Sequence, residues 1–188
     1  MKPSLQCQKS AAKARSVLEI IRRNFRKLNV NGFLLIYKSY IRPHLEYCVQ
    51  AWSPYHQKDI QCLESVQRAA TKLVPSLKKL SYEDRLIRLG LTTLYQRRIR
   101  GDLIETYKIL TGKINVLSDN FFRLHTGSNN TRGQSLKLSV QRSRLDLLKN
   151  FFSLPVVRIW NSLPQDVVNS TSVTMFKRRL DKHCMEWI

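Results

Sequence analysis

From Ala11 to Thr111 apolar residues recur every three or four positions, segment after segment. That period restricts this part of the chain to amphipathic helices that each bury one face. The first helix is expected over 11–28, with Ala14, Val17, Leu18, Ile21, Phe25 and Leu28 inward and Ser10 as its N-cap. Asn29-Val30-Asn31-Gly32 should break it. The segment from Phe33 to Ala51 is apolar on nearly every side, as a buried central helix would be. Pro43 lies inside it and predicts a kink or short break near Ile41-Arg42-Pro43, because proline lacks the N–H of a helical hydrogen bond and its ring clashes with the preceding turn.

A third helix follows from about Lys58 to Val74, with Ile60, Leu63, Val66, Ala70 and Leu73 inward and Pro75 as its stop. Ser81 and Asp84 have capping-box spacing for a short fourth helix that ends at Gly90. The fifth runs from about Thr93 to Thr111 and buries Ile99, Leu103, Tyr107 and Leu110. Beyond residue 113 the pattern changes. Leu124 to Gly133 is polar, Ser135 to Val140 alternates as a strand does, and Phe151 to Leu163 should hold a short strand or turn and then a helix from about Val156. Ser172 can cap a last helix with Val173, Phe176 and Leu180 inward. The expected fold is mainly α: a helical bundle over residues 1–113, a linker over 114–131, and a small C-terminal α+β subdomain over 132–188.

Charge bounds the function. Thirty-three Lys and Arg against thirteen Asp and Glu give a net charge of +20 in 188 residues, with a sequence pI near 10.3. A compact chain that carries such self-repulsion is expected to meet a polyanion, here RNA or DNA bound without sequence preference. The bland alternative is a solvated basic surface. The cations form four groups: Arg15, Arg22, Arg23 and Arg26; Arg97, Arg98 and Arg100; Arg132, Lys137, Arg142 and Arg144; and Lys177, Arg178, Arg179 and Lys182. Their arginines, Arg132 apart, are the candidate phosphate contacts, since guanidinium groups neutralise phosphates and release counterions. Trp52, Tyr55, Tyr82 and Tyr95 are aromatics of a kind that stacks on bases, although helix packing is the more common use.

No apolar run is long enough to span a membrane, and Met1 to Cys7 lacks the apolar core of a signal peptide. The expected location is intracellular, nuclear or cytoplasmic, and not secreted. Cys7, Cys48, Cys62 and Cys184 have no metal-ligand spacing and read as reduced thiols. No phosphate-binding glycine loop, zinc-protease pair or nucleophile elbow is present. Glu83-Asp84 is the one adjacent acidic pair, and helical neighbours diverge by about 100°. His44 with Cys48, or His183 with Cys184, supplies two of the four ligands that a zinc site needs. No catalytic residue, metal or cofactor is expected.

Several blocks carry a resemblance. They are Ser39-Tyr40-Ile41-Arg42-Pro43-His44-Leu45-Glu46-Tyr47-Cys48, Leu63-Glu64-Ser65-Val66-Gln67-Arg68-Ala69-Ala70-Thr71-Lys72, and Leu80-Ser81-Tyr82-Glu83-Asp84-Arg85-Leu86. Arg97 to Glu105, Tyr107 to Gly112, Trp160-Asn161-Ser162-Leu163-Pro164 and Phe176 to Asp181 follow in order. Together they resemble the reverse transcriptase of jockey-type non-LTR (LINE) retrotransposons, in the part after the polymerase catalytic strands. The resemblance implies a thumb-like helical region that grips template–primer duplex, followed by a C-terminal part. The parent family is an RNA-directed DNA polymerase whose palm aspartates hold two magnesium ions. No aromatic-x-Asp-Asp motif occurs here, so that activity does not carry over. Two other readings stand beside this one: a helical module that docks on a polymerase palm or another protein, and an inert transposon remnant. The sequence leaves oligomeric state open.

Overall fold

The computed structural model describes residues 3–25, 27–125, 134–141, 144 and 149–184. The chain is mainly helical, as its periodicity requires. It forms two compact units, residues 1–98 and 99–188. The division expected between 113 and 132 therefore falls within the second unit.

In the first unit, helix α1 covers Pro3–Asn24 and α5 covers Gln57–Ala70. Helix α1 starts well before Ser10, which is buried within it rather than capping it. Its inner face is Cys7, Ser10, Ala11, Ala14, Leu18 and Ile21, and the small residues at the front let another helix approach closely. The Ser4 hydroxyl donates to the buried Asp59 carboxylate at 2.5 Å and ties α1 to α5. Helix α1 ends at Asn24, where the side-chain amide donates to the Ile20 carbonyl at 2.8 Å. Phe25, in register with the apolar stripe, is thereby left half-exposed.

The Asn29 to Gly32 stretch opens a new helix instead of only ending the first. Asn29 caps α2 (Val30–Ile36), with its Oδ1 accepting from the Gly32 amide at 2.7 Å. The chain then widens into a π turn over Tyr37–Ile41, and α3 (Arg42–Glu46) carries Pro43 in its first turn. The Arg42 amide reaches back to the Tyr37 carbonyl, which lets the helical run continue past a residue with no N–H. The expected kink is this turn. Cys48 then adopts a left-handed conformation, φ 50°, ahead of α4 (Val49–Trp52). That places Cys48 outside the helix of His44, so the two do not share a helical face.

Helix α5 tightens into 3-10 turns over Thr71–Leu73 and Pro75–Leu77. Helix α6 (Tyr82–Leu89) has the expected ends: the Ser81 hydroxyl oxygen accepts from the Asp84 amide at 3.1 Å, and Gly90 takes φ 58°. Phe33, Tyr37, Ile41, Leu45, Leu63, Val66 and Leu94 lie at the centre of this unit's core.

Helix α7 spans Leu94–Leu110, with Leu94 in the first core and Leu103, Ile104, Tyr107 and Ile109 in the second. The second unit adds α8 (Pro155–Ser162), α9 (Gln165–Val168) and α10 (Val173–Cys184), the last capped by Ser172, whose hydroxyl oxygen accepts from the Met175 amide at 3.1 Å. Tyr107 stacks on Phe176 at 4.3 Å between ring centres, with Trp160 tilted against Phe176. The expected strand at Ser135 to Val140 reduces, among the described residues, to one antiparallel bridge between Leu124 and Leu138. The reason is the partner. Asn161 accepts from the Leu138 amide at 2.9 Å and donates to its carbonyl at 2.8 Å, as a neighbouring strand would. Trp160 Nε1 donates to the Leu136 carbonyl, and Gln165 accepts from the Ser135 amide. The segment is held on one edge by helix side chains and on the other by backbone hydrogen bonds, from the His125 amide to the Lys137 carbonyl at 2.9 Å and from the Ser139 amide to the Arg123 carbonyl at 2.8 Å.

Candidate nucleic-acid interface

In the first unit an open groove of about 640 Å³ lies between the C-terminal halves of α1 and α5 and the turn that follows α5. Leu18, Phe25, Ala69, Leu73 and Pro75 give it an apolar floor. Arg22, Arg68, Lys72 and Lys78 line it with four cations against a single carboxylate, Glu19. The sequence places these groups with simple spacings. Leu18, Arg22 and Phe25 lie on one face of α1 and its end. Arg68 and Lys72 are four apart where α5 passes into its tightened turn.

Arg68 is presented by an aromatic ring and not by an acid. Its guanidinium lies 4.7 Å from the centre of the Tyr82 ring. A cation–π contact of this kind orients the group without neutralising its charge. Tyr82 is itself held by a buried polar network. Its hydroxyl donates to Glu64 and accepts from Gln67 Nε2 at 2.9 Å. Gln67 Nε2 also donates to the Thr92 carbonyl at 3.0 Å, and Gln67 Oε1 accepts from the Tyr37 hydroxyl. The other oxygen of Glu64 accepts from the Leu94 amide at 3.1 Å, at the start of α7. Burial, and then the hydrogen bond and charge of Glu64, push the Tyr82 phenol far above its ordinary range. Burial, and then the charge of Glu46, do the same to Tyr37. Both phenols are therefore neutral donors.

The arginines singled out by sequence are placed in quite different settings. Arg22 is exposed in the groove, and its nearest carboxylate, Glu19, is 3.9 Å away. Arg23 is exposed on α1. Arg15 is exposed but donates to the Ser65 hydroxyl at 2.9 Å and to the Cys62 carbonyl, and so bridges α1 to α5. Arg26 and Arg142 lie outside the described residues. Arg97 makes a two-point pair with Glu46, which raises its pKa through the hydrogen bond. Arg98 is only 4% exposed, which removes it from surface contacts. Arg100 pairs with Asp181 through two hydrogen bonds, 2.5 and 2.9 Å long, in the second unit. Arg144 and Arg178 are exposed, while Arg179 is half-buried and donates to the Asp166 carbonyl. The structure thus brings Arg22 of the first group into a shared groove, buries Arg98, and pairs Arg97 with Glu46 and Arg100 with Asp181.

Sequence reasoning missed Arg68, Lys72 and Lys78 as site residues. The signal was available in the four-residue spacing of Arg68 and Lys72 on the outer side of a helix with a clear inner stripe. Of the aromatics considered for stacking, Trp52 and Tyr82 are buried, whereas Tyr55 and Tyr95 are exposed. Phe25, taken as core, is the aromatic in the groove. Among the described residues no group of three His, Cys, Asp or Glu side chains is placed to hold a metal, and no helix is long and apolar enough to cross a membrane. Cys7, Cys48 and Cys62 are free thiols. No family model, curated protein or solved structure matches this chain.

Proposed function

We propose that this chain binds nucleic acid without sequence preference, gripping a template–primer duplex by its phosphates as the thumb of a retrotransposon reverse transcriptase would. The observation that carries the reading is the excess of exposed cation with no acid to match it. Lys9, Lys13 and Arg23 are exposed along α1, and Arg68, Lys72, Lys78 and Lys79 are exposed at the end of α5 and beyond. With a net charge of +20, the carboxylates present cannot neutralise them. A polyanion does so and releases its condensed counterions as it binds. The resemblance of the chain to the region beyond the polymerase catalytic strands supports the same ligand, and the residues supply binding, with no catalytic aspartates of their own.

The test is a set of variants against an RNA–DNA hybrid. Arg68→Gln and Lys72→Gln should each weaken binding to every hybrid sequence alike and lower the slope of log affinity against log salt by about one. Unchanged affinity in both variants would contradict the reading for this face.

A second reading has its own observation. Leu35, Tyr40 and Tyr47 are large apolar residues left exposed in the first unit. Docking on a polymerase palm or another protein would cover such residues. Association that is insensitive to salt and lost in Leu35→Asp would favour it.

A further inference from the structure

We propose that the groove between α1 and α5 holds one unpaired nucleotide, with its base against Phe25 and its phosphate between Arg68 and Lys72. The inference rests on the nucleic-acid reading above and deepens it, because it adds an unpaired base to the phosphates that the groove cations take.

A duplex keeps its base faces stacked inside and presents backbone and groove edges, so a surface that grips duplex without sequence preference is built chiefly of cations and polar donors. An aromatic ring on an apolar floor finds no free base face to stack on along such a ligand. An unpaired nucleotide differs: it has a free base face that stacks on an aromatic side chain, and a phosphate one sugar away. This groove holds both halves of that recognition. Phe25 is 49% exposed because α1 ends one residue before it, and Leu73 and Pro75 continue the apolar surface beside it. Arg68 and Lys72 line the same groove. The volume, about 640 Å³, lies within the range typical of sites that enclose small ligands, about 300–1,000 Å³.

The cation is also set in advance. The Tyr82 ring holds the Arg68 guanidinium from one side, and the buried hydrogen bonds of the Tyr82 hydroxyl to Glu64 and Gln67 fix that ring. The guanidinium's donors are therefore left for a phosphate, and little side-chain freedom remains to be lost on binding. Tyr82 is a positioning residue for Arg68, and Phe25 is the group that distinguishes unpaired from paired nucleotides.

The experiment compares a blunt RNA–DNA hybrid with the same hybrid carrying a single-stranded overhang of about 6 nucleotides, a length within the usual single-strand site size. Both are bound to the full chain by fluorescence anisotropy. The overhang should tighten binding about tenfold or more, Phe25→Leu should abolish that preference, and Phe25→Tyr should retain it. Equal affinity for the two ligands, or a preference that survives Phe25→Leu, overturns the inference and leaves the nucleic-acid reading standing. Failure to bind either ligand at low salt overturns both. Because Phe25 is a surface residue, an unchanged melting curve confirms that the Leu variant is folded. Gln67→Leu, measured where its melting curve shows it folded, tests the positioning of Arg68: it should weaken both ligands alike and keep the overhang preference.

Discussion

Gln67 is fully buried and uses both ends of its amide, accepting from Tyr37 and donating to Tyr82 and to the Thr92 carbonyl. Buried polar groups of this kind stabilise little while satisfied and cost much when orphaned. Gln67→Ala leaves a cavity and strands a phenol and a carbonyl, and should lower unfolding free energy by about 2–4 kcal/mol in a urea titration. A loss under about 0.5 kcal/mol would mean that the network is not formed. The position was only half legible in the sequence. Its place beside Leu63, Val66 and Ala70 on the inner side of a helix marks it as buried, but its partners lie 30, 15 and 25 residues away and have no local signature. Cys7 gives a pH-dependent counterpart. Burial, and then the charge of Asp59, push its thiol from 9.0 to about 11. The fold favours the neutral form, so this contribution is complete below pH 9.0 and is lost as pH rises toward about 11. Tyr37 and Tyr82 act in the same direction at higher pH. Thermal unfolding of the wild type and of Cys7→Ala should therefore converge as pH rises through that window. Parallel curves would contradict the burial of the thiol.

At the scale of elements, the ends set by local chemistry are the ones the sequence predicts well. Ser81, Gly90 and Ser172 sit where their side chains or backbone freedom place them, at the start and end of α6 and the start of α10. Pro43 marks its own irregularity, because a missing N–H has to be accommodated within a turn. Two elements were misjudged for physical reasons. The first turns of α1 are packed through Cys7, Ser10 and Ala11, small residues that carry little hydrophobic periodicity, so the helix seemed to start later. The alternating segment from Ser135 to Val140 has strand character, but beyond its single bridge to Leu124 its other edge pairs with the side chain of Asn161, a tertiary contact that no local pattern encodes. Removing that partner gives a direct check. Asn161→Ala should destabilise the protein by about 1–3 kcal/mol, because the Leu138 amide and carbonyl lose their partner together, and amide exchange at Leu138 should quicken. Unchanged exchange at that amide would show that the segment is held by its bridge to Leu124 instead.

At the scale of the whole molecule, the charge was the most readable feature and the least specific. It predicts a polyanionic ligand but not which cations meet it, because individual arginines divide between surface and fold for reasons set by tertiary structure. Arg97 and Arg100 have carboxylate partners 51 and 81 residues away in sequence. Arg22 and Arg68 come together across two helices that the sequence presents as separate stripes. The central claim is that this excess cation is used to bind phosphate, and the most direct test is the salt dependence of binding by the wild-type chain. With the four groove cations engaged, affinity for an RNA–DNA hybrid should fall about 150-fold between about 50 and 200 mM salt, a slope of about 3.6 on logarithmic axes. A slope near zero, or no binding at the lowest salt by a folded sample, would contradict the account.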